Sequence, residues 1–359
     1  MYYIVFVILF WASIIEIYKK KYNKFLFYSA FALMTLMTCF RYGQNADYFN
    51  YKSSYLNPDE SRNADLLFGY FQDACFSLGL SYEINVILCG IILMGLLFPF
   101  FRKKTNSSAL SLLIIYSLFF LVYHMGGVRQ GIALSLLLWS YQFLEKGKKY
   151  TFLILLFIGS LIHLSLISAI LIYFVYNKRF FESNFILLLL LGMTFYAAFV
   201  PDMSWIIQMY FPDRSVEGGL QDNRWAALFL RILSIIPVYF VKPPYGSSGY
   251  NARSICITGY CIYCFFSFDT LIAGRIEAYY RLFFCLFASY VIFKMAKFRL
   301  RILCLLYILL LQSAYFFKNV DTMRIQLDFR DNVTMMNFPY TSIFDKDDLG
   351  NYSDVVDND

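Results

Sequence analysis

Charge is what this chain has least of. Only 15% of its 359 residues are Asp, Glu, Lys or Arg, against 60% hydrophobic and 21% aromatic. A soluble domain carries about 25% charge and could not bury so much apolar surface, so a water-soluble enzyme is excluded. The first apolar stretch, Tyr2–Tyr18, lacks a basic segment before it and a small-residue cleavage site after it. It therefore reads as a retained span and not as a signal peptide. No interleaved basic and aromatic surface of the nucleic-acid type is present, and no internal repeat or low-complexity segment. No paired-aspartate motif occurs in residues 1–317, so a catalytic metal is not implied. Cys261 and Cys264 form a CxxC without a second ligand pair, and zinc wants four ligands, so they read as small packing residues. A disulfide between Cys39 and Cys75 stays open.

What is present is a succession of apolar stretches near the roughly 20 residues that a bilayer needs. The first are Tyr2–Tyr18, Phe25–Phe40, Ile84–Phe101, Ala109–Tyr123 and Ile132–Leu144. Thr151–Tyr176, Phe185–Val200, Ala226–Val241, Ile255–Ile272, Tyr279–Phe293 and Ile302–Phe317 follow. The class is all-α: a polytopic membrane helical bundle of about twelve transmembrane helices. Residues 1–317 form one transmembrane domain with outer loops at 41–83 and 201–225, and residues 318–359 form an outward tail. Leu66–Leu80 is too short and broken for a span and reads as a helix lying on the outer surface.

The net charge of +7 comes from Lys and Arg in short loops, so it speaks to topology. KKKYNK at Lys19–Lys24 fixes its loop in the cytoplasm and residue 1 outside. Thr151–Tyr176 is either one long tilted helix or two short ones meeting near His163. The hairpin puts Asn177–Arg179, Lys242, Arg253 and Lys294–Arg301 on the side of the earlier basic clusters. A single helix divides the charges almost evenly. The positive-inside rule favours the hairpin.

In this topology the arginines outside the basic clips share the outer side: Arg41, Arg129, Arg214, Arg224, Arg275 and Arg281. Arg231 lies deeper, where a cation is costly and usually serves a pathway, a partner or a site. The stretch from His124 to His163 concentrates the chemistry. Gly126 and Gly127 allow close approach of backbone to ligand. Arg129 and Gln130 then open an apolar helix, where a guanidinium joins free backbone N–H groups to suit a phosphate. The bland alternative has Arg129 snorkelling to headgroups and His163 making a helix–helix hydrogen bond. Asp47, Asp269, Glu277, Glu217 and Asp222 gather on the same side, with Asp269 and Arg275 expected to pair. Tyr48, Tyr51, Tyr279 and Tyr280 supply interfacial rings, which anchor spans and also stack on sugars.

Several of these residues together resemble a known family. Arg41-Tyr42-Gly43 with Asp47-Tyr48 and Tyr51 resembles the R-x-G…D-Y…Y element of the EpsG family of Wzy-type polysaccharide polymerases. Leu66–Leu80 followed by Ser81 is similar to its outer amphipathic segment, and Arg129-Gln130…Ala133 to its R-Q-x-x-A helix start. His163-Leu164-Ser165 resembles its H-x-S, Arg275 with Tyr279 its late R-x-x-x-Y, and Pro339-Tyr340 its tail signature. Asn45-Ala46 departs from it, since a second small residue such as Gly is expected before Asp47.

The resemblance implies a bundle of the membrane glycosyltransferase and O-antigen ligase type in the bacterial cytoplasmic membrane. The implied activity joins oligosaccharide repeat units carried on undecaprenyl pyrophosphate at the outer face, without a cofactor. Implied partners are that lipid-linked oligosaccharide, the bilayer, and a chain-length regulator and flippase of the same pathway. In this reading Arg41, Arg129, Gln130, Arg231, Arg275, Tyr279 and Arg281 hold pyrophosphate and substrate. Fixed guanidinium groups stabilise a leaving pyrophosphate, and Asp47 or His163 serves as the base. A flippase moving the same lipid, or a ligase transferring finished chains to lipid A core, are the alternatives.

Overall fold

The computed structural model describes residues 1–43, 47–57, 65–104, 106–201, 224–326, 334–335 and 338–344. Asn45, Ala46, Arg214, Glu217 and Asp222, named above, lie outside them, as does the tail beyond residue 344. Every regular element among the described residues is a helix, beside one isolated bridge, Arg41 to Ser342.

The chain begins with α1 (Tyr2–Lys19) and α2 (Lys24–Cys39). Short helices α3 (Asp47–Leu56) and α4 (Leu66–Ser77) follow, then α5 (Tyr82–Lys104). Next, α6 (Ser108–Ile115) widens into a π-helical stretch, Tyr116–Gly126, and α7 (Val128–Glu145) leads away from it. A broken element comprises α8 (Lys149–Ser160), a 3-10 stretch Leu164–Ile170 and α9 (Leu171–Val175). The remaining helices are α10 (Phe185–Phe199), α11 (Arg224–Phe240), α12 (Ser248–Phe265), α13 (Thr270–Arg281), α14 (Phe284–Lys294) and α15 (Phe298–Gln326).

Among the described residues four helices are long and apolar enough to cross a membrane, and the bent pair α13–α14 makes a fifth. The other apolar helices run 10–17 residues, among them α2, α8 and α10. The expected element at Tyr279–Phe293 is in fact this bent pair. It breaks at Leu282 and Phe283, with an angle of 40° between its halves.

Residues 151–176 fold as a hairpin. The Lys149 ammonium at the start of α8 lies 5.9 Å from the Tyr173 ring in α9, so the chain has doubled back. Gly159 makes the fold possible: a Cβ there would sit 2.3 Å from a Leu166 methyl and 2.9 Å from one of Leu136. His163 stands at the apex.

Contacts at the helix ends sort the loops. Glu16 of α1 accepts from Asn23 N (3.0 Å), Ser107 Oγ (2.8 Å) and Ala109 N (3.0 Å), joining the Lys19–Lys24 loop to the start of α6. Tyr18 meets Phe298, and Tyr141 meets Tyr176. Arg253 reaches Val238 O (2.8 Å) and Phe181 O (2.7 Å). Each contact brings basic loops together, so these clips share one end of the bundle. The other end carries α3, α4, the Gly126–Arg129 turn, the hairpin apex and residues 338–344.

Two polar groups inside the bundle, where an apolar surround makes an unpaired group costly, find partners on neighbouring helices. Pro237 in α11 cannot donate to Leu233 O, and Tyr307 Oη from α15 fills the gap at 2.7 Å. Asn319 Nδ2 donates to Ser117 O at 2.7 Å, and Val320 and Met323 are buried. These contacts carry α15 beyond the expected boundary at Phe317. Cys39 and Cys75 are free and buried.

Candidate functional site

The polar focus of the loop-rich end is a carboxylate that sequence reasoning did not single out. Asp65 Oδ2 accepts from Arg129 Nη1 at 2.8 Å and faces His163 Nδ1 at 3.3 Å. Asp65 Oδ1 accepts from Leu164 N at 3.3 Å. Burial raises the Asp65 carboxyl, but the His163 hydrogen bond, the Arg129 and His163 charges and the Leu164 N–H outweigh it. The group is held below its ordinary value.

Three elements converge to build this arrangement. Arg129 lies in the first turn of α7, which starts right after the π-helical stretch. There Gly127 N donates to Val122 O at 2.9 Å, five residues back. Such wide turns are rare and recur at functional sites. Gly131, one turn into α7, passes so near the π-helix that a Cβ would lie 2.5 Å from Tyr123 O. Helix α3 brings Tyr51, whose Oη accepts from Arg129 Nε at 3.2 Å while the guanidinium sits 5.1 Å from the ring. Burial raises the Tyr51 phenol, so it stays neutral with its hydroxyl hydrogen free to donate. The hairpin apex supplies His163, whose Nε2 is buried without a hydrogen-bond partner.

Asp47 opens α3 on the opposite side of the Arg129 turn. Its Oδ2 lies 3.9 Å from where a Gly127 Cβ would be, and its charge acts on both Tyr51 and Arg129. From α13, Arg275 O accepts from Gln130 Nε2 at 2.8 Å, while the Arg275 charge acts on Tyr51, Tyr123 and Tyr279. Among the described residues the Arg275 side chain has no ion-pair partner. Tyr279 Oη meets Ser165 Oγ at 3.0 Å, tying α13 to the hairpin. Asp47, Arg129, Gln130, His163, Arg275 and Tyr279 thus gather around one centre.

The other predicted residues stand apart. Arg41 is buried, with Nη1 donating to Thr38 O (2.7 Å) and His124 O (3.5 Å). Its main chain belongs to the strip where residues 341–343 close on 40–42: Tyr42 N donates to Thr341 O (3.0 Å) and Ile343 N to Phe40 O (2.9 Å). Arg231 bonds Glu277 Oε2 through Nε (3.1 Å) and Nη2 (3.0 Å), gives Nη1 to Ala227 O (3.1 Å), and lies 3.7 Å from the Tyr263 ring centre. Arg281 pairs with Glu277 Oε1 at 3.5 Å, one helical turn along α13. Tyr123, which feels Arg231, Glu277, Arg281 and Arg275 alike, lies between this buried cluster and the outer one. Asp269, expected to pair with Arg275, caps α13 by accepting from Ile272 N at 2.8 Å. Arg224 closes α10 through Ala197 O (2.6 Å) and Val200 O (2.7 Å).

Asp65 left a signal in the sequence, an Asp immediately before an apolar helix, which reads as an ordinary N-cap. Its partners lie 64 and 98 residues away, and no local pattern carries that pairing.

Among the described residues the geometry assembles a partly buried guanidinium, a second without an ion partner, an imidazole nitrogen without a hydrogen-bond partner and two carboxylates at one end of an apolar bundle. No curated protein and no solved structure gave a match. The family model of the EpsG family does match, over residues 24–342, which includes every residue of this centre. The chain belongs to the EpsG family, a family of Wzy-type polysaccharide polymerases.

Proposed function

We propose that this polymerase joins oligosaccharide repeat units carried on undecaprenyl pyrophosphate, at the outer face of a bacterial cytoplasmic membrane. The observation that carries the reading is that Asp65 brings together the Arg129 guanidinium and the His163 imidazole, whose Nε2 has no hydrogen-bond partner among the described residues, at the end of the bundle opposite the basic clips. The clips belong in the cytoplasm by the positive-inside rule, so the centre faces out.

In the reaction the anomeric carbon of the donor sugar loses its bond to the pyrophosphate oxygen. It forms a new bond to an acceptor hydroxyl oxygen, whose proton goes to a base. Arg129 supports the leaving group: Nη1 and Nε are held by Asp65 and Tyr51, which leaves Nη2 for phosphate oxygen. Arg275, without an ion partner among the described residues, adds a second cation. His163 takes the acceptor proton on Nε2, since Nδ1 already faces a carboxylate. Asp47, across the Arg129 turn, is the second candidate base. Arg231 and Arg281, both engaged by Glu277, fix α13 and with it Arg275 and Tyr279. Arg41 supports the α2 end of the site.

The test is reconstitution of purified protein in liposomes with the matched lipid-linked repeat unit. A ladder of longer lipid-linked chains is expected. Transport across the vesicle without lengthening indicates a flippase, and product only on added lipid A core a ligase. Repeat units that stay monomeric with folded protein refute the reading.

A further inference from the structure

We propose that Asp65 is the positioning residue of this centre, one carboxylate that orients both the His163 imidazole and the Arg129 guanidinium. The proposal rests on the polymerase reading given above.

The local geometry singles Asp65 out. It stands at the N-cap of α4, where an Asp side chain normally accepts from its own helix's first amides. Here the side chain makes no such bond. It turns to the hairpin apex and accepts from Leu164 N at 3.3 Å. The exchange is reciprocal, because Leu67 N, in the first turn of α4, donates to Leu161 O at 2.8 Å. Two hydrogen bonds of opposite direction thus lock the start of α4 to the residues on either side of His163. The lock leaves Oδ2 for Arg129 Nη1 and His163 Nδ1 together. A carboxylate at Nδ1 holds the proton there and keeps the Nε2 lone pair free, which is the form a base requires. The same oxygen fixes one edge of the guanidinium and leaves the other to the site.

The arrangement differs from a plain ion pair. The Arg129 side chain is 23% exposed and could pair with a carboxylate from the surface, whereas Asp65 is 8% exposed and reaches three groups from two other segments. The charged and titratable groups facing the Asp65–His163 contact are Arg129 on α7, Tyr51 and Asp47 on α3, and Arg275 and Tyr279 on α13. Of these groups Arg129 and Arg275 are cations, and Asp65 is the carboxylate that touches His163.

The experiment compares wild type with Asp65→Asn, full length and purified in detergent, on the matched lipid-linked repeat unit. Asn keeps the shape and can still accept from Leu164 N, so folding is checked by thermal unfolding and rates are taken per folded molecule. Turnover is expected to fall by about 100-fold or more, as when a carboxylate behind a catalytic imidazole is neutralised. KM should change by less than about threefold, and the acid limb of the kcat profile should move about one pH unit lower, because the imidazolium loses its neighbouring anion. Adding His163→Gln to Asp65→Asn should then lower turnover by less than about threefold more, since both act on one proton transfer. A lower unfolding temperature with wild-type turnover and an unmoved acid limb would overturn the proposal. So would effects of the two substitutions that multiply independently. If wild type itself makes no polymer, the functional reading fails first, and the two failures are distinct.

Discussion

Arg129→Ala tests the centre most directly. The side chain makes a 2.8 Å bond to Asp65, a 3.2 Å bond to Tyr51 and a ring contact at 5.1 Å, and alanine removes all three. Losing one preorganised donor to a developing anion costs about 2.7–4 kcal/mol, or roughly 100- to 1,000-fold in turnover. A second effect falls on stability, because Asp65 is left buried without its cation. Breaking a buried pair costs about 3–5 kcal/mol. Here the low end applies, since Arg129 is 23% exposed and Asp65 keeps Leu164 N and His163. Arg129→Lys separates the two effects. An ammonium can still neutralise Asp65 but loses the planar fork that bonds carboxylate, phenol and phosphate at once. The Lys variant should unfold near the wild-type temperature and polymerise at an intermediate rate. Polymer length and initial rate are read at matched membrane levels, alongside thermal unfolding in detergent. Wild-type turnover in the folded Ala variant would return Arg129 to the headgroups and remove the reason for placing phosphate there.

A cysteine in place of Asp73, exposed on α4, should react with an impermeant maleimide in intact spheroplasts once the native cysteines are shown to be silent; one in place of Lys148 should react only after permeabilisation. The reverse pattern would put the centre in the cytoplasm. Glu277→Gln leaves the buried Arg231 and Arg281 without their shared carboxylate and should cost about 2 kcal/mol or more, seen as a lower unfolding temperature. Its turnover per folded molecule should fall far less than that of Arg129→Ala. Asp65 titrates below its ordinary 3.8 in the folded protein, so its stabilising effect is complete above that value and lost as pH falls through the folded value. At neutral pH Asp65→Asn should therefore unfold at a lower temperature than wild type, and the gap should close only below pH 3.8; a gap that closes between pH 8 and 5 would refute the carboxylate as the anion.

The helical membrane class was legible because apolar length is a local property, and the hairpin because basic clips count as a set. The same clip count gives no warning of the bend at Leu282–Phe283 or of the π-helical turn ahead of Arg129, both of which depend on packing between helices. Arg129, Gln130, His163, Arg275 and Tyr279 were legible through short motifs in the right order, and the structure brings them around one centre. The carboxylates were harder. Asp269 and Arg275 are six positions apart, which on a helix is about 240° and puts them on different faces. Glu277 and Arg281, four apart, share a face and meet at 3.5 Å. Spacing alone therefore argued against the expected pair and for the observed one. Arg231 shows the limit of that argument, since its depth marked it as costly while its partner Glu277 comes from another helix 46 residues on.

Asp65 is the sharper case, because its position before an apolar helix gives a sufficient local explanation that the structure does not use. A capping residue whose side chain leaves its own helix unserved has to be held elsewhere by something stronger. Here that is a cation, an imidazole and an amide from two other segments. A vacant cap on a buried acid is thus itself a pointer to a site, though one visible only after folding. Sequence could offer the acid as a candidate and three-dimensional contact had to choose its role. For the same reason Arg129, legible at once from Gly-Gly-x-Arg-Gln, acquires a mechanism only through the residue that went unremarked.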